Sequence, residues 1–413
     1  MTRPSGADRP TKDTSTQPRS LTRPSMAART PPAPVAPELL AWARESSGLS
    51  REDAARKVNV TRERLDGWES GEASPTVAQL RNLAKAYKRP LAVFFLPEPP
   101  SGFMPLHDYR RLPGTIGEGW SPALRLALRR AEGQQQAASE LRSLLGEEPP
   151  ALPVVNADAT DAERFAAEAR GVLGVTLAQQ FSWRDRYKAL AGWTAALEEA
   201  GVLVLQTSGI AVDEMRGFSI SDPVVPVIVL NGSDAPRGRI FTALHEWVHL
   251  LLNEAGVCDL HDQGDGQDDE TERFCNETAA AILMPADTFG QEAAVRAAHG
   301  DVEVPDSIIG ELATRYSVSQ ESVVRRLLSL GVGSWDFYMH KRAEYHEAYM
   351  QQRADEEGFA PFHRVRVRDL GKAYVRLVLD AYHGDRINVS EVSDYLGIRL
   401  KHLPKIEREA LTR

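Results

Sequence analysis

The feature that most constrains this chain is an apolar run at residues 240–252, whose only polar side chains are Thr242, His245, Glu246 and His249. Apolar residues recur on nearly every side of a helix drawn through this run, so the sequence predicts a buried helix. Residues four positions apart share a helix face, and His245 and His249 can therefore bind one metal ion. Because burying two imidazoles and a carboxylate without partners is costly, this pattern favours a metal site over a helix with two hydrogen-bonded core histidines.

The segment His245-Glu-Trp-Val-His249 has the H-E-x-x-H spacing of zinc hydrolases, in which the glutamate holds a water against the metal. A catalytic zinc ion needs a third protein ligand and one open position. The extended metzincin form is excluded, because Leu252 and Ala255 occupy the places of its glycine and third histidine. The third ligand must therefore lie on another element, and Glu246 is the predicted general base.

A helix predicted at residues 271–283 supplies candidates for the third ligand. It carries Glu272 and Glu277, with Glu270 just before it. Four residues after Glu272, on the same face, stands Asn276, whose amide can orient a ligand histidine as a carboxylate does in gluzincins. We predict Glu272 as the third ligand, with Glu270 and Glu277 as alternatives. Two imidazoles and one carboxylate favour zinc and also suit manganese.

Two further roles in peptide cleavage need residues: stabilising the oxyanion and holding the substrate. Tyr187, Arg216 and His261 are candidates for stabilising the oxyanion of a peptide substrate. An extended substrate could add to a sheet edge at residues 218–221 or 224–231.

Composition limits the class of protein. A chain of 413 residues has room for two or three domains. Two cysteines, Cys258 and Cys275, exclude a disulfide scaffold and favour a reducing, cytoplasmic compartment. No run of about 18 apolar residues is present, so no membrane-spanning helix is expected. Residues 1–96 carry 16 Lys and Arg against 10 Asp and Glu, whereas the rest carries 33 against 48, so only the N-terminal part has the charge to contact nucleic acid.

The predicted fold class is α+β, mainly helical with a small β-sheet. The predicted segments are a disordered basic tail at 1–36, a four- or five-helix domain at 37–96, a linker with a helical connector at 97–160, a core at 161–300, a helix-turn-helix-like region at 301–345 and a helical region at 346–413. The core is predicted to contain strands at 202–205, 216–220 and 224–230, then helices at 236–254 and 271–283. Pro226 marks the last strand as an edge or bulged strand.

The core carries a resemblance to a known family. The segments Phe241-Thr-Ala-Leu-His-Glu-Trp-Val-His-Leu-Leu-Leu252 and Glu272-Arg-Phe-Cys-Asn-Glu-Thr-Ala-Ala-Ala-Ile-Leu-Met-Pro285 resemble the ImmA/IrrE metallopeptidases, as do Gly201-Val-Leu-Val, Arg216-Gly-Phe-Ser and Val227-Ile-Val-Leu-Asn231. The resemblance covers about residues 165–345. It implies a zincin-like core, places the family's ligand glutamate on Glu272, and implies a regulated protease that cuts a helix-turn-helix repressor or antitoxin. The remaining N- and C-terminal parts exceed the family's minimal unit.

The N-terminal part carries a second resemblance. Gly48-Leu-Ser50, Ala54-Ala55, Val60-Thr61, Leu65, Trp68-Glu-Ser-Gly71 and Pro75-Thr76 resemble the Cro/repressor (XRE) helix-turn-helix. The resemblance implies that Leu65 and Trp68 pack in the core and that a recognition helix begins with Thr61, Arg62, Glu63 and Arg64. Residues 37–96 carry 10 basic and 8 acidic side chains, so we expect weak, salt-sensitive DNA binding or contact with a partner protein instead.

The sequence thus predicts a cytoplasmic endopeptidase behind a repressor-like helix-turn-helix, with zinc or manganese held by His245, His249 and Glu272. The expected partners are a repressor or antitoxin as substrate and DNA through residues 37–96, and a homodimer is compatible with the pattern. The alternative is a DNA-binding regulator, or a toxin–antitoxin component, whose metallopeptidase core is a sensor or is rarely active. The retained Glu246 favours chemistry over a purely structural core.

Overall fold

The computed structural model describes residues 32–100, 107–108, 120–147, 152–153, 155, 157, 160–252, 256–258, 267–298, 303–353 and 360–412. Among these residues the chain divides into two compact units. One contains the described residues up to Ala43 together with Arg51–Pro99, and the other contains Arg44–Ser50 with the described residues from Pro100 onward. A search of the described helices finds none long and apolar enough to cross a membrane.

Four short α-helices and one 3₁₀ helix form the N-terminal region. They are α1 (Pro37–Glu45), α2 (Arg51–Val58), α3 (Arg62–Glu69), α4 (Val77–Ala86) and the 3₁₀ helix Leu91–Phe95. Local signals set these bounds: Asn59 adopts a φ of 57° after α2, and the hydroxyls of Thr61 and Thr76 cap α3 and α4. Leu65 and Trp68 are buried, as predicted. The expected set of four helices is confirmed.

Residues 32–36 depart from the predicted disordered tail at 1–36. Ala33 is buried, and its amide donates a hydrogen bond of 2.8 Å to the carbonyl of Pro75. Pro32 pairs with Thr76 in an isolated β-bridge. The tail prediction is therefore wrong at these residues, because pairing with a distant segment supplies partners that local composition does not reveal. Residues 1–31 lie outside the described residues.

The second unit contains most of the helices. They are α5 (Pro122–Leu145), α6 (Ala162–Val172), α7 (Leu177–Ser182), α8 (Arg186–Glu199), α9 (Pro236–Leu251), α10 (Gln267–Leu283), α11 (Ala286–Phe289), α12 (Ala293–Ala297), α13 (Asp306–Tyr316), α14 (Gln320–Ser329), α15 (Trp335–Arg353), α16 (Phe362–Leu370), α17 (Lys372–His383), α18 (Val389–Leu396) and α19 (Leu403–Leu411). A second 3₁₀ helix, Leu400–His402, precedes α19. The helices predicted at 236–254 and 271–283 correspond to α9 and α10, and α10 begins four residues earlier than expected.

One mixed sheet lies in this unit. Its strands are β1 (His107–Asp108), β2 (Leu203–Thr207), β3 (Gly217–Ile220), β4 (Val227–Asn231) and β5 (Gly256–Cys258), in the order β1-β5-β3-β4-β2. β2 pairs parallel with β4, β3 pairs antiparallel with β4 and β5, and β1 pairs parallel with β5. The α+β class is confirmed, although β1 falls in the stretch predicted as a linker.

β4 is an interior strand, so the prediction of an edge or bulged strand is wrong. It pairs with β2 on one side and with β3 on the other. Pro226 immediately precedes its first paired residue, and the missing N–H therefore removes no hydrogen bond from the ladder. The carbonyl of Pro226 accepts a hydrogen bond of 2.9 Å from the Leu203 amide.

The sheet separates two hydrophobic cores. Because successive strand residues face opposite sides, β2 and β4 contribute to both cores. Val204, Ile228 and Leu230 belong to the core that contains α6, α8, α9 and α10. Leu203, Leu205, Val227 and Val229 belong to the core formed with α5 and α16–α19. The two layers of helices therefore enclose the sheet on both faces.

A buried polar link fixes α10 relative to its neighbours. The Nε2 atom of Gln180, on α7, donates to the carbonyls of Leu283 at 3.1 Å and Tyr316 at 2.9 Å. Its Oε1 atom accepts a bond of 2.9 Å from the Arg170 guanidinium on α6. Gln180 is fully buried, so one amide satisfies three groups that no water can reach.

We expect Gln180→Leu to lower the free energy of unfolding by roughly 2–4 kcal/mol, because two carbonyls and one guanidinium donor lose their partner. Urea unfolding followed by circular dichroism measures this. The matched control is Gln179→Leu on the exposed side of the same helix, which should change the free energy by less than about 0.5 kcal/mol. Equal effects of the two substitutions would show that the link is not stabilising.

Candidate metal centre

α9 places its polar side chains in the middle of the core. The helix begins at Pro236, whose missing N–H costs nothing in the first turn. From Arg239 to Leu250 every residue is buried. His245, Glu246 and His249 are fully inaccessible to water. Packing therefore fixes these side chains, as the apolar run predicts.

Ligand-type atoms of three residues on two helices lie close together. The Nε2 atoms of His245 and His249 are 3.1 Å apart. Glu272, on α10, places Oε2 3.2 Å from the His245 Nε2 and Oε1 3.1 Å from the His249 Nε2. Both imidazoles therefore present their Nε2 atoms, and a single carboxylate faces both of them.

This arrangement fits a tetrahedral metal ion. Ligand atoms at about 2.0–2.1 Å from a tetrahedral zinc are roughly 3.3 Å from one another. The Nε2–Nε2 distance of 3.1 Å is close to that edge length, and each Nε2 has one Glu272 oxygen at 3.1–3.2 Å, a different oxygen in each case. The donor set, two imidazole nitrogens and one carboxylate oxygen, is one that zinc prefers. Three protein ligands leave a fourth position for water or substrate.

Glu272 is the glutamate that α10 brings to the histidines. Burial by itself raises the pKa of its carboxyl, but the charges and hydrogen bonds of His245 and His249 outweigh this effect and hold the pKa well below its usual range. Glu272 is therefore present as the carboxylate that a metal ligand must be. The alternatives Glu270 and Glu277 both have exposed side chains.

Asn276 lies one turn beyond Glu272 and is buried. Among the described residues its Oδ1 has no hydrogen-bond partner, and neither does the Nδ1 of His245. The predicted role of Asn276 behind a ligand histidine therefore stays a prediction. Cys275, the neighbouring residue, lies in the hydrophobic core, whereas His261 lies outside the described residues.

β3 covers the face of α9 that carries Glu246. A methyl group added at Gly217 would overlap the Thr242 side chain and would lie 3.4 Å from Oε1 of Glu246. Only a residue without a side chain lets the strand approach so closely. Sequence reasoning missed this role of Gly217, and the only signal for it was a glycine at the start of a predicted strand.

The two remaining oxyanion candidates occupy different surroundings. Arg216 precedes Gly217, and its Nη1 lies 3.4 Å from Oδ2 of Asp234, a buried residue just before α9. Arg216 is therefore held beside the strand that covers Glu246. Tyr187 has a side chain that is more than half exposed, in the first turn of α8.

The structure limits where an extended substrate could pair with the sheet. β4 is paired on both sides over residues 227–230, so a substrate strand cannot add there. On β3, Gly217 and Phe218 pair with β5. The next positions, Ser219 and Ile220, are buried, and the same register places Gly256 opposite Ser219.

The predicted DNA-contacting residues share one surface of the N-terminal unit. Thr61, Arg62, Glu63 and Arg64 are all exposed at the start of α3. Arg62 is paired within the protein: it lies 2.5 Å from a carboxylate oxygen of Glu52 and 3.6 Å from one of Asp66. The Arg64 guanidinium lies over the Trp68 ring, 5.7 Å from its centroid.

The fold and the site thus define an α+β core in which an H-E-x-x-H helix meets a glutamate of the following helix, a candidate metal centre. Residues 197–328 match the family described as the IrrE N-terminal-like domain, and residues 40–94 match a helix-turn-helix family. The chain therefore carries an IrrE-like domain and a helix-turn-helix domain, and both resemblances seen in the sequence are confirmed.

Two curated proteins are similar to part of the chain. One is the radiation response metalloprotease IrrE of Deinococcus deserti, 41% identical over 70 residues. The other is the radiation response metalloprotease IrrE of Deinococcus radiodurans, 38% identical over 68 residues. Each match covers 16% of this chain, and it spans 25% and 21% of the two relatives respectively. The chain therefore matches a quarter or less of their length.

We expect Glu272→Gln to reduce bound zinc well below the roughly one equivalent per chain of the parent, because an amide is a much weaker ligand than a carboxylate. Metal analysis of the purified protein after dialysis measures this. Glu277→Gln removes the same charge from an exposed position on the same helix and should retain the metal. Full retention in Glu272→Gln would contradict the assignment of the third ligand.

Proposed function

We propose that the chain is a zinc-dependent endopeptidase that cleaves a helix-turn-helix repressor or antitoxin. The observation that carries the proposal is the meeting of His245, His249 and Glu272 directly beside the buried Glu246, within an IrrE-like domain. Both relatives are named as metalloproteases, which supports the activity. Manganese suits the same ligands and is the alternative ion.

The proposed mechanism assigns separate tasks to the residues of the site. His245, His249 and Glu272 would hold the ion, which when bound makes a water more acidic and polarises a carbonyl. Glu246 accepts the proton of the attacking water and then donates it to the leaving amine. Its burial between α9 and β3 keeps the carboxylate in one position, and Arg216 is the oxyanion candidate that lies beside β3.

The proposed substrate enters as an extended segment. Pairing of this segment with β3 at residues 218–221 stays a prediction, since Gly217 and Phe218 already pair with β5. A helix-turn-helix protein as substrate is what the resemblance to the ImmA/IrrE metallopeptidases implies, and we propose that the helix-turn-helix domain of the chain itself associates with it. Such association would bring the substrate to the enzyme.

We expect Glu246→Gln to bind zinc normally and to lose at least about 100-fold in cleavage rate, because the amide cannot accept the proton. Cleavage of a small helix-turn-helix protein encoded beside this chain, followed by mass spectrometry, measures the rate. The control Glu270→Gln removes a carboxylate at an exposed position of α10 and should cleave normally. An unchanged rate in Glu246→Gln would contradict the mechanism and would favour the alternative of a regulator with a sensor core.

DNA binding through residues 37–96 is a second proposed function. It is favoured by the exposure of Thr61, Arg62, Glu63 and Arg64 together at the start of α3. The N-terminal residues of such a helix reach base edges in related folds. Because Arg62 is engaged by Glu52 and Asp66, binding must first break these ion pairs, and we expect low affinity.

The quantity to compare is the free energy with which the full chain binds the promoter region of its own gene and a random DNA. We expect Arg62→Ala to reduce the difference between the two by roughly 1–3 kcal/mol. Lys57→Ala should instead weaken binding to both DNAs alike, because a phosphate contact carries no sequence information. Fluorescence anisotropy at two salt concentrations measures both effects. If the chain shows no sequence preference at low salt and captures a helix-turn-helix protein instead, the domain is a substrate adaptor.

A further inference from the structure

A cavity of about 570 Å³ lies on the side of the sheet opposite the metal centre. It is bounded by α5, the end of β2 and the helices α16, α17 and α18. The described residues that matter for its chemistry are Arg130, Gln134, Thr207, Ser208, Arg366 and Tyr374. Its volume lies within the range of about 300–1,000 Å³ that is usual for sites of small molecules.

Two arginines give the cavity its charge. Arg366 is partly buried, and its Nε donates a bond of 2.7 Å to the carbonyl of Leu396. Burial lowers the pKa of Arg366, Asp369 opposes this, and the charge of Arg130 lowers the pKa further. Within the described chain neither Arg130 nor Arg366 lies within ion-pair distance of a carboxylate. Two neighbouring cations with no such partner favour an anion between them.

The acidic residues of the wall only partly offset this charge. Asp369 is occupied by the neighbouring Arg368, whose Nε and Nη2 lie 3.0 Å and 2.7 Å from the same carboxylate oxygen. Asp394 is exposed at the side where the cavity meets a second depression. One carboxylate is therefore neutralised locally, and the other faces water.

The remaining wall offers hydrogen bonds and an apolar floor. The Nε2 atom of Gln134 is buried and has no hydrogen-bond partner among the described residues. Thr207 and Ser208 add hydroxyl groups, which can donate or accept. Leu205 and Val229 form part of the floor. The complementary ligand has an anionic group, further polar groups and a partly apolar body.

We propose that this cavity binds a small organic phosphate of the size of a mononucleotide. The two guanidinium groups hold the phosphate, since arginine matches phosphate geometry with paired, charge-assisted hydrogen bonds. The amide and the two hydroxyls bind the sugar, and the apolar floor contacts a ring. A nucleotide and a sugar phosphate share the anionic group and differ in the ring that reaches the floor.

The cavity is connected to the helix of the metal centre. Gln206, which lines the cavity on β2, accepts a hydrogen bond of 2.7 Å from Nη1 of Arg239. Arg239 is buried on α9, six residues before His245. The Gln206 side chain faces α9 on the other side of the sheet, so a bound ligand would act on α9 indirectly, through the backbone of β2. This consequence rests on the proposed function, whereas ligand binding itself does not.

Isothermal titration calorimetry on the full chain tests the proposal without any cleavage assay. The probes are AMP, GMP, CMP, UMP, glucose 6-phosphate and inorganic phosphate, with adenosine as the matched probe that lacks phosphate. We expect at least one phosphate ester to bind saturably and adenosine to bind at least about tenfold more weakly. Tighter binding of a nucleotide or of glucose 6-phosphate shows which of these two classes of phosphate ester the cavity prefers. No saturable binding of any ester, or equal binding of adenosine and AMP, would overturn the proposal.

Variants locate the site. Arg130 is exposed on α5, and Arg130→Gln should fold normally and weaken binding of the preferred ester by about 10- to 100-fold. Arg364→Gln, at an exposed position of α16 outside the cavity lining, is the matched control and should leave binding unchanged. Arg366→Gln gives a second test, with its fold checked by circular dichroism. Unchanged binding in both Arg130→Gln and Arg366→Gln would overturn the assignment of the site.

Discussion

The burial of polar groups inside α9 is the constraint on which the rest of the core depends. Two imidazoles and the carboxylate of Glu246 are removed from water there, at a cost of several kcal/mol if they were left without partners. Glu272 offsets this cost for the histidines, because each Nε2 has one of its carboxylate oxygens as a partner. The position of α10 must therefore be exact, and the buried amide of Gln180 helps to fix it by binding the carbonyl at the end of that helix.

Much of the site could be predicted because its information is local. Helical periodicity places His245 and His249 on one face, and the apolar residues around them require burial. The choice of Glu272 among three glutamates followed from the spacing to Asn276 and from the family resemblance, and the structure brings that residue to the histidines while Glu270 and Glu277 remain exposed.

The parts that escaped prediction depend on contacts between distant segments. Pro226 suggested an edge strand, but sheet order is set by which strands pair, and one proline at a strand start does not determine that. The closeness of Gly217 to Glu246 is likewise a property of strand and helix together. Ala33 pairs with a segment more than 40 positions away, which the composition of a Pro- and Ser-rich tail does not indicate.

The core between the sheet and helices α5 and α16–α19 determines which fragment of this protein could fold by itself. The family match covers residues 197–328, yet Leu203, Leu205, Val227 and Val229 face α5 and the last four helices, which lie outside that match. A fragment limited to the matched region would present one whole face of its sheet to water as an apolar strip. In this chain the flanking helices act as structural parts of the IrrE-like core. The boundary of the homologous region is therefore not the boundary of the folding unit.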